Sequence, residues 1–210
     1  SYTWDIRGSL TSGPDLFRNS FSTDLKEQDV IFGGEKKLAA AIDELVSIYK
    51  PPVVFVYSTC IVGVIGDDLG AICKQAAARH GIEVIPVESS GFIGNKAAGY
   101  RAACDALLKL IQTERKLSKL ERSVNYLGDF NLAGEAWIIE QYFDEIGVKV
   151  NTVFTGDSRY SNLKQATRAE LNIMQCAGSM TYLSNKMQEL YGIPHLRISF
   201  LGIQDTTETL

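Results

Sequence analysis

No stretch of this chain approaches the roughly 18 consecutive apolar residues that a membrane span requires, so no membrane-spanning helix is expected. Nor does it open on a basic segment followed by an apolar core, the mark of a secretory signal, and a cytoplasmic location is expected. Charge of one sign is also lacking. Twenty-one basic residues stand against 25 acidic ones, a net −4 spread without runs, which leaves no electrostatic footprint for nucleic acid or for an anionic membrane surface. Cysteine is sparse, and Cys60, Cys73, Cys104 and Cys176 form no C-x-x-C pair. That spacing argues against a zinc knuckle and against a secreted disulfide framework.

What is present is an ordinary globular composition, 45% hydrophobic and 22% charged over 210 residues, enough to bury one large core or two modest ones. The chain opens on Ser1 within a loop-like stretch and stops at Leu210 just after a helical pattern begins at Thr206, so it is expected to be part of a longer protein.

The run Val53 to Asp68 organises the first half. A continuous β-branched and aromatic stretch after Pro51-Pro52 reads as a buried parallel strand covered on both faces. Gly63 and Gly66 then break it, and Asp67 is expected to cap the next helix. Cys60 is thereby placed at a strand's carboxyl end. In open α/β sheets that edge binds ligands, and the amino end of a following helix favours a thiolate. A buried packing cysteine remains the alternative.

Before this run, residues 1–31 show scattered aromatics without a period and read as irregular chain, with Arg7 and Arg18 as candidate anion contacts or plain solvated arginines. A turn at Gly33-Gly34 leads into an amphipathic helix over 35–49. After it, helix 67–80 carries Cys73 on a packed face, residues 83–87 form a strand, 88–99 a glycine-bearing loop, and 97–111 a helix containing Cys104. Gly94-Asn95-Lys96 is not a Walker A loop, since the glycine spacing is too short and Ala97 follows the lysine.

The charged connector 113–122 is the expected domain boundary. Beyond it the pattern alternates: strand 123–127, helix 134–146, strand 148–154, a short helix near 162–168, strand 171–175, helix 179–191 and strand 195–200. Gly128-Asp129, Gly156-Asp157 and Cys176 all fall at strand carboxyl ends, where they either line one crevice or serve as turns and caps. His195 reads as a strand residue, because no second histidine lies nearby.

Four segments together resemble the nitrogenase component 1 superfamily. They are Asp29-Val-Ile-Phe-Gly-Gly-Glu-Lys-Lys-Leu38, Cys60-Ile-Val-Gly-Val-Ile-Gly-Asp-Asp68, Gly91-Phe-Ile-Gly94 and Gln175-Cys-Ala-Gly-Ser-Met-Thr-Tyr182, and they occur in the family's order across the whole chain. The fold implied is α/β, two Rossmann-like parallel α/β units over 1–118 and 119–210, the second incomplete and a third domain outside the chain.

Two departures separate this chain from the catalytic α subunit. Gly178 stands where that subunit has an arginine two residues past the cofactor-binding cysteine, and Tyr100 where it has a cofactor-contacting histidine. The resemblance therefore implies a scaffold subunit that assembles the iron–molybdenum cofactor from an iron–sulfur precursor, in nitrogen fixation, with a catalytic α-type subunit of a nitrogenase-like reductase as the alternative. By the same resemblance Cys60 is a ligand of the iron–sulfur cluster at the subunit interface, its companion cysteines lying before Ser1. Cys176 is the thiolate that anchors the cofactor precursor, and Arg7, less closely spaced, lies near that site. Soft thiolates suit such clusters. The implied partners are a paralogous N-type subunit in a heterotetramer, the nitrogenase iron protein, and apo-nitrogenase as cofactor acceptor. The 210 residues alone are expected to bind no cluster, since one thiolate at the interface site is too few. A plain Rossmann-like binding module for a small anion or metal is the third reading.

Overall fold

A computed structural model describes residues 20–111, 117–131, 133–156 and 158–210. Residues 21–109 form one compact unit and 110–210 the body of a second, so the division falls in a helix ahead of the expected connector. No helix among the described residues is long and apolar enough to cross a membrane.

In the first unit, α1 (Glu27–Phe32), α2 (Glu35–Tyr49), α3 (Cys60–Ile65), α4 (Leu69–His80) and α5 (Lys96–Ile111) accompany two parallel strands, β1 (Val53–Tyr57) and β2 (Glu83–Val87). Ile42 of α2 meets Leu69, Ile72, Cys73 and Ala76 of α4 and Val84 of β2, which makes the core of this unit. Each such aliphatic side chain contributes about 1.5–3 kcal/mol by leaving water. The amphipathic spacing of α2 and α4 was legible for this reason. Cys73 and Cys104 are buried packing residues, as their helical neighbours implied.

Three sequence expectations change here. Residues 27–32 form a helix rather than irregular chain, and six residues are less than two turns, too few to display a period. The apolar run from Val53 does not continue as strand: β1 ends at Tyr57, only partly buried, and Cys60 to Ile65 coil into α3. Its partner β2 stops at Val87, whose carbonyl accepts the Ser58 amide at 3.0 Å, and beyond that point a strand would have unpaired backbone groups. A helix satisfies its own, which overrides the β preference of Ile61, Val62, Val64 and Ile65. Asp67 is not the cap. Asp68 accepts the Ala71 amide at 2.8 Å and starts α4, while Asp67 accepts the Gly34 amide at 2.9 Å and ties the start of α2 to this turn.

The second unit holds a four-stranded parallel sheet of β3 (Ser123–Asp129), β4 (Lys149–Thr155), β5 (Leu171–Met174) and β6 (His195–Arg197), in the order β4-β3-β5-β6. Helices α6 (Glu135–Glu145), α7 (Tyr160–Lys164), α8 (Ala177–Tyr191) and α9 (Ile203–Thr209) complete it. Ala136, Ile139 and Phe143 of α6 pack on Val124, Tyr126, Val153 and Ile173, as the helical spacing gives, whereas Ile146, expected on the same face, follows the end of the helix and is exposed. Helices α8 and α9 each begin two or three residues earlier than expected, and β6 is cut to three residues.

A buried amide row crosses this sheet. Asn125 Nδ2 donates to Asn172 Oδ1 at 2.8 Å and to the Ala166 carbonyl at 2.9 Å, and Asn151 Nδ2 donates to Asn125 Oδ1 at 2.9 Å. The row depends on a bulge. Val124 pairs with Val150 but Asn125 with Thr152, so Asn151 is the extra residue on β4.

Candidate functional site

Each unit places one accessible thiol just past a strand's carboxyl end, and the two sites are built differently. In the first unit Cys60 is the opening residue of α3, after Thr59 in extended conformation. It is exposed, not the buried packing cysteine of the alternative reading. The Gly91 amide donates to Cys60 Sγ at 3.2 Å. The loop that carries Gly91 is held by a reciprocal pair, Ser89 N–H to Ser58 Oγ and Ser89 Oγ to the Ser58 carbonyl, both 2.9 Å. Gly63 is required here, because a Cβ on it would lie 2.9 Å from Ser90 Oγ. Around the thiol, Val30, Ile61, Val64, Ile65 and Phe92 line a shallow apolar hollow, with Val64 70% and Phe92 74% exposed.

In the second unit the strand order sets the position. Chain leaves β3 to one side for β4 and returns to the other side for β5, so the carboxyl ends of β3 and β5 flank the topological switch point of the sheet. Gln175 N–H closes the ladder on the Leu127 carbonyl at 2.8 Å, and Cys176 follows as the residue preceding α8. Cys176 is half-buried. Gly128, the bulge residue of β3 at φ +91°, lies directly against it. On the outer side a Cβ at Gly178 would meet nothing within 4 Å, so the first turn of α8 has open space beside the thiol. Ser179 does not cap this helix: it lies inside the first turn, is 6% exposed, and its hydroxyl has no hydrogen-bond partner among the described residues.

Gly128-Asp129 serves turn chemistry. Asp129 accepts the Tyr126 hydroxyl at 2.9 Å and the Asn131 amide at 2.5 Å, so its carboxylate is engaged within its own loop. Burial first, then that carboxylate, push the Tyr126 hydroxyl far above its ordinary pKa. Gly156 donates to the Asp129 carbonyl at 2.9 Å, and a Cβ on it would strike the backbone of Phe130 and Asn131. Arg7 and Asp157 lie outside the described residues. Tyr100 sits in the early turns of α5, with the Lys96 ammonium 5.5 Å from its ring centre.

Sequence reasoning missed a cleft of about 720 Å³ on the same sheet edge, bounded by Tyr126, Asp129, Tyr142, Gln175, Phe200 and Thr206. Its walls come from α6, α9 and the turn after β6, elements far apart in sequence, and no motif announces them. Cys176 does not line it. The thiol, with open space beside it, is the better candidate for chemistry, because both acids of the cleft are engaged: Asp129 accepts two hydrogen bonds and Glu135 accepts the Ala133 amide at 2.9 Å.

Among the described residues no three His, Cys, Asp or Glu side chains converge on a metal-sized point. The individual donors nonetheless fit an iron–sulfur group: an exposed thiol already accepting a backbone N–H, and a second thiol before a helix with free space at its first turn.

Comparison with known proteins bears on the family and the fold. The family profile described as "Nitrogenase component 1 type Oxidoreductase" matches residues 1–210. The nitrogenase iron-molybdenum cofactor biosynthesis protein NifE of Clostridium pasteurianum is 58% identical over 100% of this chain and 46% of its own length. The protein of the same name from Methanosarcina barkeri is 53% identical over 100% of this chain and 47% of its own. Among solved structures, nitrogenase Cp1 at pH 5 superposes with a TM-score of 0.86 and 36% identity, over 90% of this chain and 38% of that one. The chain thus spans just under half the length of these relatives.

Proposed function

Since the chain belongs to the nitrogenase component 1 type oxidoreductase family, we propose that it is the matching part of a scaffold subunit on which the iron–molybdenum cofactor is built for nitrogen fixation. The observation that carries this reading is the 58% identity, over every residue of the chain, to a protein named for that biosynthesis, against 36% to nitrogenase Cp1. Gly178 and Tyr100 support it, since neither supplies the basic group that the catalytic α subunit presents.

The cargo is an iron–sulfur precursor, and Cys176 is the residue that holds it. Gly178, with nothing where its Cβ would be, leaves room for a bulky inorganic cluster to approach the helix backbone. Arg7 belongs near this site by motif. Cys60 is a ligand of a cluster shared with a paralogous N-type subunit, and the exposed Val64 and Phe92 beside it are the surface which that partner covers. Such a cluster supplies reversible electron storage when bound. The Gly91 amide donates to Cys60 Sγ at 3.2 Å and so holds the sulfur in a fixed direction. Domains 1–118 and 119–210 are then two Rossmann-like units of a larger subunit, which works in the cytoplasm with the nitrogenase iron protein and hands the finished cofactor to apo-nitrogenase.

The test uses the full-length protein purified with its partner subunit. Expected are bound iron, an iron–sulfur paramagnetic signal, and activation of cofactor-deficient nitrogenase. Cys176→Ala should remove the activating cargo and keep the interface cluster, and Cys60→Ala should do the reverse. Reduction of dinitrogen by the complex itself would overturn the scaffold reading in favour of the catalytic α-type one.

A further inference from the structure

The four-stranded sheet of the second unit is unevenly covered. Along β5 the side chains alternate: Ile173 joins the core under α6, while Asn172 and Met174 turn to the other face and meet Met187 and Ser184 of α8. On the first face α6 is the one helix that contributes to the core among the described residues. A helix is about 10 Å across and neighbouring strands lie about 4.8 Å apart, so one helix covers roughly two of the four strands. The cleft of about 720 Å³ opens beside α6, where a second helix of this face would lie.

Its surface has a definite chemistry. Ile138 and Tyr142, one helical turn apart on α6, line one wall, and Leu201 and Ile203, 80% and 89% exposed, stand in the other. Phe200 lies between, edge-on to both Tyr126 and Phe143. The charge is one-sided: Asp129 and Glu135 bring two carboxylates, and no Lys, Arg or His is among the described residues that line the cleft. Each carboxylate already accepts backbone N–H groups, but a carboxylate has about four acceptor positions and retains capacity for a cation.

The length of the relatives says where a cover comes from. The match to the Clostridium pasteurianum protein leaves more than half of that protein outside it, and nitrogenase Cp1 superposes over only 38% of its chain. A segment tethered to the same polypeptide meets this surface at high effective concentration, which a separate partner does not. We propose that the cleft is the docking site of a helix supplied by the same protein from outside these 210 residues, apolar on the face it presents and carrying a lysine or arginine toward Asp129 and Glu135. A helix suits an apolar floor, because it satisfies its own backbone N–H and C=O groups. The inference rests on the uncovered face and on the length of the relatives, not on the roles of Cys60 and Cys176, so it stands or falls apart from the scaffold reading.

The test uses the full-length protein with its partner subunit, in which Tyr142 or Ile203 is replaced by photoreactive benzoylphenylalanine. Ile203 is so exposed that its replacement leaves folding of this unit intact, which keeps the test sound if the change at Tyr142 does not. Isotope-labelled and unlabelled chains are mixed, the complex is irradiated, and the joined peptides are identified by mass spectrometry. Expected is a cross-link from each position to one segment outside the 210 residues, within a single chain, whose sequence has an apolar helical stripe and a lysine or arginine beside it. Cross-links to the partner subunit, to a second copy, or to residues 1–19 would overturn the inference, and so would the absence of any cross-link at both positions.

Discussion

Gly128 and Cys176 touch at the switch point of the four-stranded sheet: a Cβ on Gly128 would lie 2.7 Å from both Cβ and the backbone nitrogen of Cys176. The bulge near the end of β3 and the residue that joins β5 to α8 can approach this closely only because one of them has no side chain. Gly128 also has φ +91°, so it is required for its backbone as well as for its size.

Gly128→Ala should therefore be among the most damaging small substitutions in the chain. Left-handed backbone costs a non-glycine residue about 1–2 kcal/mol, and the clash with Cys176 adds to that. Chemical denaturation should show a loss of at least about 2 kcal/mol. An unchanged midpoint would mean that the two strand ends separate freely.

Asn125 is fully buried and bonded to Ala166, Asn172 and Asn151. Replacing it by Leu takes the donor from two buried acceptors, the Ala166 carbonyl and Asn172 Oδ1, and each costs about 1–3 kcal/mol when left unpaired. Asn125→Leu is expected to lose several times the stability lost in Asn162→Leu, a substitution of the same kind on the exposed face of α7. Equal losses in urea denaturation would show that the amide row adds nothing.

The four cysteines should differ sharply in reactivity. Burial pushes the Cys73 thiol up to about 11, and Cys73 and Cys104 are 0% and 2% exposed. Cys60 is exposed and Cys176 half-buried. Alkylation of the folded chain at pH 8, followed by mass spectrometry, should label Cys60 first, Cys176 next, and the other two only after denaturation. Early labelling of Cys73 would contradict its place in the core.

Asp43 on α2 accepts from His80 Nε2 at 2.6 Å and from Arg79 at 2.7 Å, and the hydrogen bond to His80, followed by that to Arg79, holds its carboxyl below the ordinary range of an aspartate. A lowered folded value means stability that is present above the unfolded value and lost as pH falls through the folded one. Asp43→Asn should flatten the fall in stability below about pH 4, and leave its acid slope otherwise unchanged. Identical acid profiles for the two proteins would assign the slope to other carboxylates. The pair is exposed to solvent, so added salt should weaken the effect.

Much of this architecture was written locally. Helix α2 was legible from Leu38, Ile42 and Val46, and β2 from a short apolar run between turn residues, because one buried face imposes a repeat on the sequence. The same logic failed over Ile61 to Ile65. Those residues prefer strand, but whether a strand can exist there depends on β2 offering backbone partners, which is a fact about another segment. The amide row was illegible for a similar reason: Asn125, Asn151 and Asn172 look like ordinary interruptions until a bulge on β4 brings them into register.

For the site, the sequence by itself determined that Cys60 and Cys176 follow strands, that Cys176 precedes a helix, and that Cys73 and Cys104 belong to packed helix faces. Periodicity encodes that much, since it records which residues lie at an element's edge and which lie on its buried side. Only the tertiary structure decided that β3 and β5 are neighbours, that Gly128 meets Cys176, that Gly91 donates to Cys60 and that Ser179 is buried. These contacts join residues 31 to 48 positions apart, or depend on which side of a helix the sheet covers. Strand order and loop approach are set by the packing of whole elements against one another, and no window along the chain contains them.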